Sequence, residues 1–372
     1  MNYNRMIIST MTFLTLLSSC NGGQSKGNDS ALDLVVGTYG HNLYELSFNP
    51  DGSFGPMKAI PAENPSFVIK DGDQLYYAVS ENDPYSGVYS FRDSRMTAFQ
   101  DNSDFCPCHL LLLDGTIYTA DYGRGSISAF PVLDGVVQAK SAVIQFNGSG
   151  PDPIRQTHSY IHQLRVIPEE IKEQLSLKGE WVLASDLGDD SIHVLSKDGA
   201  DATLEDCPEL IITLDDGTGP RHMEFNSRRN MLYCISELGG MVYSIAVASD
   251  NGRPCFTLVQ SLKADLVDAG GSADIHLHPS GKFLYTSHRL ENDGIAVFKV
   301  LNDGTLERAS YRNTGIHPRN FQITPDGQFL LVACRDSRCI QAFRIDQEDG
   351  SLSESPVSTL NFESDQPVCI AF

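Results

Sequence analysis

Six stretches of the chain repeat one pattern: a Pro or Gly, a short apolar strand, a tight turn, and a second apolar strand closing on a polar residue. The copies are NPSFVIKDGDQLYYAVSE (64–81), PCHLLLLDGTIYTAD (107–121), IHQLRVIPEE…GEWVLASD (161–186), PRHMEFNSRRNMLYCISE (220–237), GSADIHLHPSGKFLYTSHR (271–289) and PRNFQITPDGQFLLVACR (318–335). A third apolar run follows each copy (GVYSF, SISAF, SIHVL, MVYSI, IAVFKV, CIQAF), and then a more variable fourth. The Asp-Gly and Ser-Gly pairs are hairpin turns, and the β-branched and aromatic content favours strands.

Units of roughly 40–65 residues, each a four-stranded antiparallel meander, predict an all-β chain folded as a seven-bladed β-propeller. The seventh copy is split. QPVCIAF at the C-terminus matches PRNFQI as a first strand, and DLVVGTYGHNLYELSF near the N-terminus supplies the strands that follow it. Closing one blade with both ends of the chain removes the free edges of an open sheet. A single domain is expected over residues 32–372. The insertion EEIKEQLSLKG (169–179) in the fourth blade reads as a short surface helix.

Residues 1–19 carry one Arg and an apolar run from Met6 to Leu17, ahead of Leu17-Ser18-Ser19-Cys20. That is an export signal, short for a bilayer span. It resembles a bacterial lipoprotein signal, which implies cleavage before Cys20, lipidation of that Cys and a flexible tether over residues 20–31. The expected address is a membrane-anchored lipoprotein facing the periplasm or the cell surface, touching the membrane only through its lipid. Export leaves eight cysteines where disulfides can form. Most lie in strand-like runs and are expected to be buried thiols, although Cys334 and Cys339 flank a turn and could pair.

A formal net charge of −21 with no cluster of Lys or Arg argues against nucleic-acid binding. Against that background the ends of the repeats stand out. In a propeller blade the start of the first strand and the end of the second share one face of the disc. Taking the split blade as the first, start positions from blade two onward are Ser66, Cys108, His162, Arg221, Ser272, Arg319 and Val368, and end positions are Glu81, Asp121, Asp186, Glu237, Arg289, Arg335 and Tyr39. Blades four to seven thus supply His162, Asp186, Arg221, Glu237, Arg289, Arg319 and Arg335. An ion-pair ring sealing the channel is the plainer use of such residues. The surplus of Arg also suits an anionic ligand, since guanidinium groups bind carboxylate or phosphate bidentately.

GTGPRHMEFN…NMLYCISELGGMVYSI, HPSGKFLYTSHRLENDGIAVFKV, IHPRNFQITPDGQFLLVACRDSRCIQAFRID and QPVCIAF are similar to the seven-bladed lactonase family, which includes propeller-type 6-phosphogluconolactonases and carboxymuconate cycloisomerases. The resemblance runs from about Leu32 to Phe372. It implies a catalytic set of His162, Arg221, Glu237 and Arg289, with Arg319, Arg335, Asp186 and Tyr160 as substrate-binding candidates. Many members carry His-x-His before the fourth blade, where this chain has Tyr160-Ile161-His162, with His158 nearby. The expected reaction is hydrolysis of a small anionic sugar-acid lactone, without cofactor or metal, by a monomer or weak dimer. Either His162 or Glu237 could act as base, and His162 is preferred because Arg221 beside Glu237 should depress its pKa. A lactonizing cycloisomerase and a non-enzymatic propeller binding an acidic ligand or a protein are the alternatives.

Three other features are weaker. His276 and His278 lie two apart on one strand, a spacing able to bind metal if a third ligand exists. His109 and His222 follow start positions and are expected to point away from the channel. Asp121 and Asp186 also read as turn residues bonding neighbouring backbone.

Overall fold

A computed structural model of the chain describes residues 30–82, 85–199 and 203–372. The proposed export signal, Cys20 and nearly all of the tether lie outside the described residues. No described helix is long and apolar enough to cross a membrane.

Seven antiparallel sheets form a closed propeller among the described residues. Blade one is built from both ends of the chain: Gln366–Ala371 is innermost, followed outward by Leu32–Tyr39, Asn42–Phe48 and Lys58–Pro61. In blades three and four the outer strand is broken into two short pieces, Val136–Val137 with Ala142–Gln145, and Glu205–Asp206 with Ile212–Thr213. The insertion forms a helix over Glu169–Leu175, with Ile171 buried and Ser176 closing it in the left-handed region.

The core lies between the blades rather than inside them. Seven apolar clusters each join two neighbouring sheets, because a strand sandwiched between blades is covered on both faces. The period of two is explicit. Tyr76 packs toward blade one and Tyr77 toward blade three, while Cys234 joins the cluster with blade four and Tyr233 that with blade six. Of the eight described cysteines only Cys255 is exposed and Cys106 is intermediate; the rest are buried. Cys334 and Cys339 face each other across their hairpin as thiols.

One irregularity recurs and it positions the site. In blades two to five and seven the pairing of the first two strands shifts at the start position, leaving Ser66, Cys108, His162, Arg221 and Arg319 as the extra residue. Val368 is skipped likewise in blade one. A bulge of this kind releases a residue from the ladder and re-aims its side chain. In blade six the shift falls between Ser272 and Ile275. The residue matching Arg221 is therefore Ala273, one place beyond the Ser272 assigned from the repeat.

Candidate active site

Glu237 follows the second strand of blade five, Met231–Ser236, and its carboxylate gathers three guanidinium groups. Oε2 accepts from Arg221 Nε at 2.8 Å and lies 3.1 Å from Arg289 Nη2, and Oε1 accepts from Arg155 Nη2 at 2.6 Å. Burial works to raise the Glu237 pKa, but Arg289, Arg221 and Arg155 outweigh it and hold the carboxyl far below its usual range. Arg289 is anchored further by donating from Nε to the Gly271 carbonyl at 2.8 Å and from Nη1 to His317 Nε2 at 3.2 Å. Burial, with Arg289 and Arg335 nearby, pushes the His317 pKa down to about 3, so its ring is a neutral acceptor. Arg221 also donates from Nη1 to the carbonyl of Ala273, the bulged residue of blade six.

His162 and Arg221 line one narrow cavity together with Glu81, Cys108, His222 and Arg319. Glu237 and Arg289 join this cluster through their ion pairs rather than by lining the cavity. The His162 ring is 5 % exposed, and its Nδ1 is buried without a hydrogen-bond partner. Burial, then Arg221, His222 and Arg319, push its pKa well below the usual value, so the imidazole is neutral. Arg319 of blade seven pairs with Glu81 of blade two at 3.3 Å and lies over the Tyr39 ring of blade one, whose hydroxyl bonds the same carboxylate.

The remaining sequence-derived positions separate. Tyr160 packs against Tyr122 with ring centroids 4.7 Å apart, and Tyr122 in turn sits 5.7 Å from the His162 ring. His158 is exposed and bonds Thr157 and the Gly123 carbonyl, outside the cluster. Arg335 is taken up by its neighbour Asp336 at 2.7 Å. Asp186 Oδ1 accepts from the backbone N–H of Tyr160 and Gly188, and the residue is not among those lining the narrow cavity. The turn-residue reading fits it. Asp121 instead accepts from side chains, those of Asn102, Thr119, Ser126 and Ser128.

His109 and His222 were expected to point away from the channel, yet both line its opposite end. There a cavity of about 690 Å³ is walled by residues of all seven inner strands. The bulge at the preceding residue turns them inward. His222 Nδ1 meets Asp274 at 2.7 Å, and His276 lies between Asp274 and Glu224. His278 bonds Ser280 and the Gly327 carbonyl, so the two His of that strand share no ligand position.

Arg155 and His317 belong to this candidate cluster and were not revealed by the repeat. His317 stands just before Pro318-Arg319, where Gly219 stands before Pro220-Arg221, so alignment of the repeats points to its place though not to its role. Arg155 lies in an irregular loop with no periodicity to reveal it.

The description "Lactonase, 7-bladed beta-propeller" matches residues 33–372. A Formosa agariphila protein named 6-phosphogluconolactonase is 33% identical over 309 residues, 79% of this chain and 84% of that one. A solved structure of a Bacteroides fragilis protein, also named for 6-phosphogluconolactonase, is 37% identical with a TM-score of 0.84, covering 93% of this chain and 99% of that one. The periplasmic gluconolactonase of Pseudomonas aeruginosa shares the fold with a TM-score of 0.79 at 24% identity, covering 92% and 99%. With its blades, its closure and its matched span together, the chain belongs to the seven-bladed β-propeller lactonase family.

Proposed function

We propose that this protein hydrolyses a sugar-acid lactone beside the channel at blades four to six. The observation that carries the reading is the charge arrangement: Arg155, Arg221 and Arg289 share the single carboxylate of Glu237, next to a neutral His162 whose Nδ1 has no hydrogen-bond partner among the described residues. The surplus positive charge is placed to hold an anionic substrate and to stabilise the oxyanion that develops when water adds to the lactone carbonyl.

Glu237 is too strongly stabilised as a carboxylate to take a proton, and its task is to hold the three guanidinium groups in place. His162, which lines the cavity where Glu237 does not, is the base: its ring accepts a proton from water as the C–O bond forms. It then returns the proton to the ring oxygen as the ester C–O bond breaks. The product hydroxy acid ionises, so each turnover releases one proton. The naming of relatives as 6-phosphogluconolactonases supports a sugar-acid lactone.

An export signal over residues 1–19 and lipidation of Cys20 complete the reading. They place the enzyme outside the cytoplasm, where an unphosphorylated aldonolactone is the more accessible substrate. A pH-indicator assay over gluconolactone-type substrates, with and without phosphate, tests the proposal. Stoichiometric proton release is expected. Absence of release with every lactone, together with an ultraviolet change on a muconolactone, would transfer the protein to the cycloisomerases.

A further inference from the structure

Behind the site, the hairpin joining the second and third strands of blade four brings together Asp186, Asp189 and His193, each offering one ligand atom, all within 4.8 Å of one another. His193 Nε2 stands 3.5 Å from Asp186 Oδ2 and 3.5 Å from Asp189 Oδ2. Both His193 Nε2 and Asp186 Oδ2 are buried and make no hydrogen bond. Asp186 is wholly buried and His193 is 7 % exposed.

An imidazolium held by carboxylates closes to about 2.7–2.9 Å. Here the nitrogen keeps the same longer distance from both oxygens and bonds neither. That spacing leaves room for a shared cation, with all three ligand atoms within 4.8 Å of one another. Ligand atoms at about 2.0–2.2 Å from a tetrahedral ion lie about 3.3–3.6 Å apart. The surroundings hold the donors in place as well. Asp186 Oδ1 is fixed by the Tyr160 and Gly188 amides, and Asp189 Oδ1 by the Ser191 hydroxyl. Second contacts of this sort orient metal ligands. Phe146 covers the His193 ring at 4.3 Å between centroids. The loop at Gly148 packs so closely that a Cβ there would fall 2.4 Å from Asp189 Oδ2.

We propose that Asp186, Asp189 and His193 bind a divalent transition cation of the zinc class, with water completing the shell on the more exposed Asp189 side. One imidazole and two carboxylates suit Zn²⁺ better than Ca²⁺ or Mg²⁺, which prefer oxygen alone. The ion's role is structural. Through Asp186 it secures the backbone at Tyr160, two residues before His162.

The test is a Zn²⁺ titration of the full-length protein after chelator treatment, read by calorimetry and thermal melting. The expected result is one ion per chain and a higher melting temperature, with H193Q and D189N weakening binding by at least about 100-fold, beyond the 10–100-fold range of a lost second-shell contact. Co²⁺ substitution gives an independent readout: tetrahedral visible absorption in the parent protein, lost in both variants, with no thiolate band. Failure of the parent protein to bind either ion overturns the proposal, as does equal binding by the variants. A thiolate band would overturn it too, by moving the ion to the cysteines.

Discussion

Glu237 and Arg221 stand sixteen residues apart in one hairpin of blade five, and their side chains meet at 2.8 Å with both groups buried. The same carboxylate neutralises guanidinium groups from two other parts of the chain. Glu237→Gln would leave three neighbouring cations without a counter-charge. Breaking a buried pair of this kind costs about 3–5 kcal/mol. Denaturant unfolding should show that loss, along with a fall in kcat/KM of about 100-fold or more, in line with removal of oxyanion-site organisation. A variant as stable as the parent would show that the cluster is not held by this carboxylate.

Arg155 separates binding from stability. Its side chain is 38 % exposed and sits on a loop, and only Nη2 is occupied, by Glu237 and more distantly by the Tyr122 hydroxyl. Arg155→Ala should raise KM by about tenfold, the worth of one charge-assisted hydrogen bond, with stability changing by less than about 1 kcal/mol. Initial-rate kinetics paired with a thermal melt would check both halves.

Arg335 offers the converse. It is partly exposed and paired with the adjacent Asp336, so Arg335→Ala should change kcat/KM by no more than about twofold, as for a surface ion pair. A large loss would mean that the substrate reaches further across blade seven than the ion pairs imply.

The pH dependence of the reaction follows from His162. Its pKa lies well below the ordinary value because burial and the Arg221 charge disfavour imidazolium. The neutral base is therefore fully populated through pH 6–8, and kcat/KM should be flat there, falling only in more acidic solution. His162→Ala should lower kcat by about 100-fold or more, and an inflection near 6.5 in the parent enzyme would assign the base elsewhere.

Stability should respond to pH through His276. Burial opposes its charge, but Asp274 and then Glu224 hold its pKa up at about 9. A raised pKa means that the folded state binds the proton more tightly than the unfolded chain. The resulting stability is complete below about pH 6.5 and is lost as pH rises through about 9. The loss should be on the order of 2–3 kcal/mol. Stability at pH 6 and pH 9.5, from urea unfolding, should differ by at least that amount in the parent protein, and the difference should shrink by about that amount in His276→Gln.

How much of this was legible beforehand depends on the range of each interaction. The blades were readable because hairpin turns and period-two apolar runs are local signals. The start and end positions followed from antiparallel pairing, and the family resemblance singled out His162, Arg221, Glu237 and Arg289 among them. The slip from Ala273 to Ser272 arose because the bulge adds residues that the repeat pattern does not mark. Asp186 carried two readings for a related reason. A strand-end carboxylate can turn toward the channel or back to its own turn, and the amides of Tyr160 and Gly188 decide the matter.

By itself the sequence determined the repeating hairpins, the split closing blade and the polar ends that face one another, because each depends on residues close along the chain. Tertiary structure alone decided that Arg155 reaches Glu237 across 82 positions, that Arg319 finds Glu81 across 238, and that His193 stands between two aspartates. Those pairings exist only once the ring has closed. Side-chain charges then settle against whatever the closure brings near, since a buried charge must find a partner and no local pattern says which one.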